Sequence, residues 1–244
     1  MKNLLLALIA IGALSNAAQA RDCGPDALGT SRTLTIKTGE RQGIGHGYPA
    51  MGLAKGEIIL TFDDGPSPKT TPQILDILAK DCVKATFFMI GKHAEANPDL
   101  AKRVREEGHS IGSHSYTHRE LNRLAPEDAT EDIAHGMQAV DKAAFGSTAD
   151  RPHMFRFPGF KSTPELISFV NAHRGLVVDR NFGANDWRGD PAQVEFERLK
   201  ERLDHMDRGV VILHDVQPET VKLLPMAIAE FKARHMKIVH LEVQ

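Results

Sequence analysis

From residue 57 to the end, the chain alternates between two kinds of apolar pattern, and this alternation restricts its fold more than any other feature. Seven short apolar runs, at residues 58–62, 85–90, 110–112, 154–157, 176–178, 210–213 and 238–243, suit buried strands. Between them lie longer stretches with helical spacing: Ile74, Leu75, Ile77 and Leu78; Leu166, Ile167 and Val170; Leu223, Leu224, Ala227, Ile228 and Phe231. Pro72, Pro98, Pro126, Pro164, Pro191 and Pro218 each stand at a candidate helix start, four of them after a capping residue: Thr71, Asn97, Thr163 and Asp190. Proline at the first helical position has its φ already set and gives up an N–H that would lack a partner. Gly108, Gly146, Gly175 and Gly209 close candidate helices. Strands that alternate with helices build a mainly parallel α/β sheet, open or closed into a barrel. One large domain is expected over residues 57–244, preceded by an irregular lead-in at 21–56 with a single candidate strand at 32–37.

Residues 1–20 stand apart from this pattern. Lys2 precedes an apolar run from Leu4 to Leu14, and Ala18-Gln19-Ala20 offers a small-residue cleavage site. These are the parts of a secretory signal peptide, cleaved after Ala20, which predicts a secreted or periplasmic protein. The run is short of the ~20 apolar residues that span a bilayer, and no later segment is long and apolar enough to serve as a membrane span. Export bears on Cys23 and Cys82, the two cysteines of the chain. An even count in an oxidising compartment invites a disulfide between them, and two separate buried thiols is the alternative. Lys and Arg number 30 against 32 Asp and Glu, so no basic excess points to a nucleic-acid partner. The 12 histidines leave metal binding and acid–base chemistry open, and only their positions can decide.

In parallel α/β folds, functional groups gather at the carboxyl ends of the strands. The first run ends in Asp63-Asp64-Gly65-Pro66. Two adjacent carboxylates repel unless a cation is shared, although Asp-Gly-Pro is also good turn chemistry. The third run leads into His114-Ser115-Tyr116-Thr117-His118. Histidines at i and i+4 lie on one face if the segment is helical, a spacing that suits one metal ion. Two histidines and one aspartate would leave coordination positions open, as a catalytic site requires. Arg156, among apolar residues at the fourth strand end, calls for a carboxylate partner, in a surface pair or within the site. Asn185-Asp186-Trp187 follows the fifth, and His214-Asp215 ends the sixth, where a histidine tuned by a carboxylate can act as a general acid.

The segments Thr61-Phe62-Asp63-Asp64-Gly65, His114-Ser115-Tyr116-Thr117-His118, Arg156-Phe157-Pro158-Gly159 and Leu213-His214-Asp215 resemble, in order, the motifs of the polysaccharide deacetylases. These are the NodB-homology domains of carbohydrate esterase family four. The resemblance runs from about Glu57 to the C-terminus and implies a distorted (β/α)7 barrel. It also implies that Asp64, His114 and His118 hold a divalent metal, usually Zn²⁺, and that Asp63 is the general base toward the nucleophilic water. Arg156 would then orient that base, His214 would be the general acid that protonates the departing amine, and Asp186 would tune it. Trp187 and Leu213 would wall the acetyl pocket, and a backbone N–H near Gly159 would serve the oxyanion. The implied partner is an N-acetylated glycan, peptidoglycan or chitin-type. The sequence departs from the family pattern at Phe157-Pro158-Gly159-Phe160, which lacks a second proline, and at Gly183, where an aspartate is usual.

Other function classes fit parts of the pattern. An O-acetyl esterase acting on a polysaccharide such as xylan would use the same scaffold. A non-catalytic glycan-binding relative would not need base, triad and acid together. A two-His-one-carboxylate iron oxygenase shares the ligand types, but the β-α alternation and the order of aspartate before histidine count against it.

Overall fold

Every strand pairing among the described residues is parallel. The computed structural model describes residues 23–40, 43–48, 52–148 and 151–244. The signal-peptide expectation falls on residues outside this set. In chain order the elements are β1 (Thr30–Ile36), β2 (Gly43–Ile44), β3 (Glu57–Asp63), α1 (Thr71–Lys80), β4 (Thr86–Met89), α2 (Gly91–Ala96), α3 (Pro98–Glu106), β5 (Ser110–Ser113), α4 (Pro126–Phe145), β6 (His153–Phe155), α5 (Pro164–Ala172), β7 (Gly175–Val178), β8 (Phe182–Gly183), α6 (Ala192–His205), β9 (Gly209–His214), α7 (Pro218–Ala233) and β10 (Lys237–Val243).

The wall runs β8-β9-β3-β4-β5-β6-β7. Ile59, Phe88, Met154, Leu176, Val178 and Val210, drawn from five of these strands, pack into one apolar cluster with Val239 and Leu241 of β10. Side chains so far apart along a sheet meet only if the sheet curls round them, so the wall is a distorted (β/α)7 barrel. The pairing is open between β7 and β8 among the described residues. Outside the wall, Ile58, Leu60 and Phe62 of β3 pack with Leu223, Leu224, Ala227 and Ile228 of α7 in the main helix-facing core. The period of two along β3 therefore turns Ile59, Thr61 and Asp63 inward. On β9 the same alternation turns Val210, Ile212 and His214 inward, and Val211 and Leu213 outward.

Six of the seven runs read from the sequence lie in the wall. The seventh, β10, starts beside β3 and then runs parallel to β1, with Leu34 opposite Leu241. The segment before residue 57 is thus built into the sheet: β1 pairs β10, and β2 pairs β7. Strand β8 escapes a reading by apolar runs because it is two residues long. Of the four capping residues, only Thr163 caps, accepting the Leu166 N–H at 3.3 Å. Thr71 lies inside α1, where its hydroxyl accepts the Ser67 N–H and donates to Asp215 at 2.5 Å. Pro191 occupies the cap position of α6, and Asp190 pairs with Arg198 at 2.7 Å instead of capping. Asn97 donates its side-chain amide back to the His93 carbonyl. Cys23 and Cys82 are joined in a disulfide with Cα atoms 5.9 Å apart, which tethers the start of the described chain to the turn after α1.

Candidate active site

Strand polarity and the period of two bring Asp63, Arg156 and His214 to one end of the barrel, where ionisable groups are least expected unless they are paired. Arg156, just beyond β6, is fully buried. Its Nη1 donates to Asp63 Oδ1 at 2.6 Å and to Thr61 Oγ1 at 2.8 Å, and its Nε donates to the Val178 carbonyl at 2.9 Å. The Phe88 ring covers the guanidinium at 4.1 Å. The sequence left Arg156 a choice between surface pairing and a carboxylate of the site; the partner is Asp63. This short charge-assisted bond fixes one carboxylate oxygen and leaves the other, Oδ2, 3.7 Å from His114 Nε2.

Asp64 diverges from its neighbour because its backbone sits at φ 76°, a left-handed conformation that aspartate tolerates. Its N–H donates to the Phe88 carbonyl at 3.2 Å, and its own carbonyl lies 2.7 Å from His93 Nδ1. Its carboxylate Oδ1 stands 3.6 Å from His114 Nε2 and 3.2 Å from His118 Nε2. The two histidines do not share a helix face. Ser115 and His118 both have positive φ, and the segment is a loop that folds back so the two rings meet edge to face at 4.9 Å. Helix α4 holds this loop. Asp132 Oδ1 accepts the Tyr116 and Thr117 N–H groups at 2.8 and 3.2 Å, and Oδ2 accepts the Thr117 hydroxyl. Gly136, one turn further on, lets α4 approach so closely that a Cβ there would fall 2.4 Å from the Ser115 carbonyl carbon.

One ligand atom from each of Asp64, His114 and His118 lies within 4.8 Å of the others. His114 Nδ1 is 2.7 Å from the Arg156 carbonyl, which can only accept, so Nδ1 carries the proton and Nε2 presents its lone pair to the centre. Asp64 Oδ1 is buried without a hydrogen bond among the described residues, although two imidazole nitrogens stand near it. Burial opposes ionisation of Asp64, yet His118, His114 and His214 outweigh it and hold the carboxyl near 2. One carboxylate oxygen and two imidazole nitrogens, all within 4.8 Å of one another, are the donor set a divalent cation fits.

His214, the last residue of β9, stands across the same space. Its Nδ1 lies 2.9 Å from Asp186 Oδ1, and its N–H donates to Asp186 Oδ2 at 2.7 Å. Thr220 on α7 donates to that same oxygen at 2.6 Å. Burial lowers the pKa of His214, but Asp186 and the carboxylates of Asp63 and Asp64 more than compensate and push it up to about 9. The imidazole is therefore held as the cation. Next to it, Asp215 is buried and takes the Thr71 hydroxyl; burial raises its pKa to about 7.

These groups line a cavity of about 490 Å³, with Gly159, Phe160, Arg180, Asn185, Trp187 and Ile212 around them. One expectation about its walls needs correction. Leu213 points out of the barrel into the helix-facing core, because strand alternation gives the inner side to residues 212 and 214; Ile212 lines the cavity in its place. Trp187 borders the cavity but is 61% exposed, so it stands at the mouth rather than forming a closed wall. Gly159 reaches the cavity through a tight turn over Pro158–Phe160. Gly183, where the family pattern has an aspartate, is a buried residue of β8, and a Cβ there would meet the Ile212 carbonyl oxygen at 2.4 Å. His109 is structural: its Nδ1 accepts the Ala85 N–H at 3.1 Å, and burial brings its pKa down to about 3.

The pattern shared by polysaccharide deacetylases matches residues 51–174, just over half of the chain, and that stretch holds Asp63, Asp64, His114, His118, Arg156 and Gly159. The chain belongs to the polysaccharide deacetylase family. Among family members it resembles the peptidoglycan N-acetylglucosamine deacetylase of Listeria monocytogenes, with 31% identity over 186 residues covering 76% of this chain and 38% of that one. It thus spans about two fifths of that relative's length. A chitooligosaccharide deacetylase of Sinorhizobium fredii is 38% identical over 175 residues, covering 70% of this chain and 77% of the relative. The solved structure of a peptidoglycan deacetylase from Bdellovibrio bacteriovorus superposes with a TM-score of 0.74 at 30% identity, over 86% of this chain and 59% of that one. Its membership in the deacetylase family agrees with the barrel built above strand by strand.

Proposed function

We propose that this family member is an exported hydrolase that removes acetyl groups from N-acetylated amino sugars in a polymer or oligomer, of peptidoglycan or chitin type. The observation that supports the reading is a carboxylate fixed by Arg156, Asp63, and an imidazole fixed by Asp186, His214, across one cavity beside three side chains that could hold a metal ion. Amide hydrolysis needs a base at one end of the reaction and an acid at the other, and the two are separated here by environment.

Asp64, His114 and His118 would hold a divalent cation, zinc by their N,N,O character, which when bound supplies Lewis-acid polarisation of a carbonyl and hydroxide at neutral pH. Asp63 takes the proton of the attacking water on its free oxygen, while Arg156 keeps the other oxygen engaged and the carboxylate aimed. His214 donates the proton that lets the amine leave, and Asp186, on the far side of its ring, holds the charged form and the ring orientation. The backbone N–H near Gly159 is the chain's own donor for the developing oxyanion. Leu213 has no part in the pocket on this reading, and Trp187 meets the sugar at the mouth.

The site of action follows from the leader and the disulfide: residues 1–20 direct export, and a Cys23–Cys82 bridge is at home in an oxidising compartment. No described helix is long and apolar enough to cross a membrane.

Acetate release from N-acetylglucosamine oligomers and from acetylated xylan, assayed in parallel on zinc-loaded protein, tests the bond that is cut. The proposal expects the amide substrate to be preferred. Release from xylan alone would make the protein an O-acetyl esterase. His114→Ala should lose tight zinc binding in the same preparation, and a full zinc complement in that variant would remove His114 from the ligand set.

A further inference from the structure

We propose that Arg180 is a specificity-determining residue that binds a carboxylate borne by the glycan beside the N-acetyl group; this rests on the deacetylase reading for its ligand class. Arg180 follows β7 by two residues, so the chain delivers it to the same barrel end as Asp63 and His214. Its backbone is fixed on both sides. The carbonyl accepts the His46 N–H at 3.1 Å, and the N–H donates to Asp179 Oδ1 at 2.6 Å. The guanidinium lies over the Phe160 ring at 4.1 Å, and Phe160 belongs to the turn that brings Gly159 to the cavity. Such a stack holds the plane of the fork while leaving its edge open.

That edge has no hydrogen-bonded acceptor among the described residues. The Asp179 carboxylate is 3.8 Å from Nη1, beyond hydrogen-bond reach, and the oxygen at that distance is the one that already takes the Arg180 N–H. The side chain is 43% exposed and lines the cavity. Of the neighbouring charges, Arg156 is buried on Asp63, and Glu120 at the cavity edge is met by Arg123 at 2.7 Å. A permanently charged planar fork, held at a fixed height over an aromatic ring and answered only by the Asp179 ion pair at 3.8 Å, with no hydrogen bond, matches the geometry of a carboxylate. A neutral glycan would leave that edge without a charged hydrogen-bond acceptor. A sugar acid, in which the carboxylate hangs from an ether or closes a uronate, would bind it with two parallel bonds.

The test compares three oligosaccharides of equal length on the full zinc-loaded protein. One is an N-acetylglucosamine oligomer in which alternate sugars carry a lactyl-ether carboxylate, the second is the same oligomer with those carboxylates methyl-esterified, and the third has uronic acids at the alternate positions. Binding is read by calorimetry at low ionic strength, and acetate release is followed in parallel. The wild type should bind the lactyl acid about tenfold more tightly than its ester, a margin that shrinks with salt. Arg180→Ala should bring the ratio to within about twofold of unity, and Arg180→Lys should keep only part of it. The third oligomer shows which carrier of the carboxylate the fork reads. A wild-type ratio near one for both acids, or a ratio that Arg180→Ala leaves intact, overturns the proposal. If the binding ratio behaves as expected while no oligomer yields acetate, the deacetylase reading fails and the carboxylate site stands.

Discussion

Asp63 and Asp64 are neighbours in sequence with different partners, and their separation can be tested one side chain at a time. Asp63→Asn keeps an oxygen to accept from Arg156, so the site should retain its zinc while turnover falls by about 10²-fold or more. Metal analysis and acetate assay on one sample check both halves, and full activity would remove Asp63 as the base. Asp186→Asn probes the acid. The cationic His214 is lost as pH rises through about 9, so kcat/KM should fall above that pH in the wild type. Without the Asp186 charge, His214 moves back toward its ordinary pKa, and the alkaline limb of the profile shifts to lower pH. An unmoved limb would contradict the pairing. The ionisable residues themselves were legible in the sequence, because Asp63, Asp64, His114, Arg156 and His214 interrupt or end apolar strands where charge is costly. Their supports were not. His93 and the Arg156 carbonyl act through main-chain hydrogen bonds from 29 and 42 residues away, which leave no local pattern. Leu213 was misread by one position, and in a strand one position is the difference between the two faces of the sheet.

At the scale of elements, the site depends on how closely its neighbours approach. The sequence places His114 and His118 four apart and invites a helix, but a loop braced by Asp132 of α4 does the work. Asp132→Ala would leave the Thr117 N–H and hydroxyl without their carboxylate acceptor, at about 1–3 kcal/mol, and the Tyr116 N–H with the Asp132 main-chain carbonyl alone. It should weaken zinc affinity as well as stability, measured by chelator competition and denaturant unfolding. A loss of stability with unchanged affinity would mean that α4 does not position the loop. Strand β8 makes the same point about legibility. Two residues carry no period, and Gly183 earns its place through the Ile212 carbonyl it must clear rather than through any pattern along the chain. The long helices were readable from their prolines and apolar spacing. Their caps were less so, since Thr71 and Asp190 are drawn into contacts with Asp215 and Arg198 that lie far along the chain or across a helix turn.

For the molecule as a whole, the barrel is closed off by segments from its two ends. Strand β10 runs beside β1, and both contribute to the cluster inside the wall through Ile36, Val239 and Leu241. The Cys23–Cys82 bridge ties the start of this arrangement to α1 across a sequence separation of 59. A loop of that length, if closed in the unfolded chain too, contributes about 4 kcal/mol by the chain-entropy estimate. Cys82→Ser should therefore lower stability by roughly 2–4 kcal/mol in denaturant unfolding and leave the zinc centre able to form. Parity of stability between the variant and the oxidised wild type would show that the bridge does not hold the fold. The alternation of strands and helices was enough to read this architecture in outline, while the β1–β10 pairing joins residues some 200 positions apart and has no signature in either segment alone.

The central claim is that one divalent ion held by Asp64, His114 and His118 makes this cavity a deacetylase. Its most direct measurement is acetate release from an N-acetylglucosamine oligomer as zinc is titrated into metal-free protein. The account predicts activity that rises with zinc, saturates at one ion per chain, and is abolished by a chelator or by His118→Ala. A protein that takes up one zinc per chain, binds the oligomer, and releases no acetate from it would contradict the account.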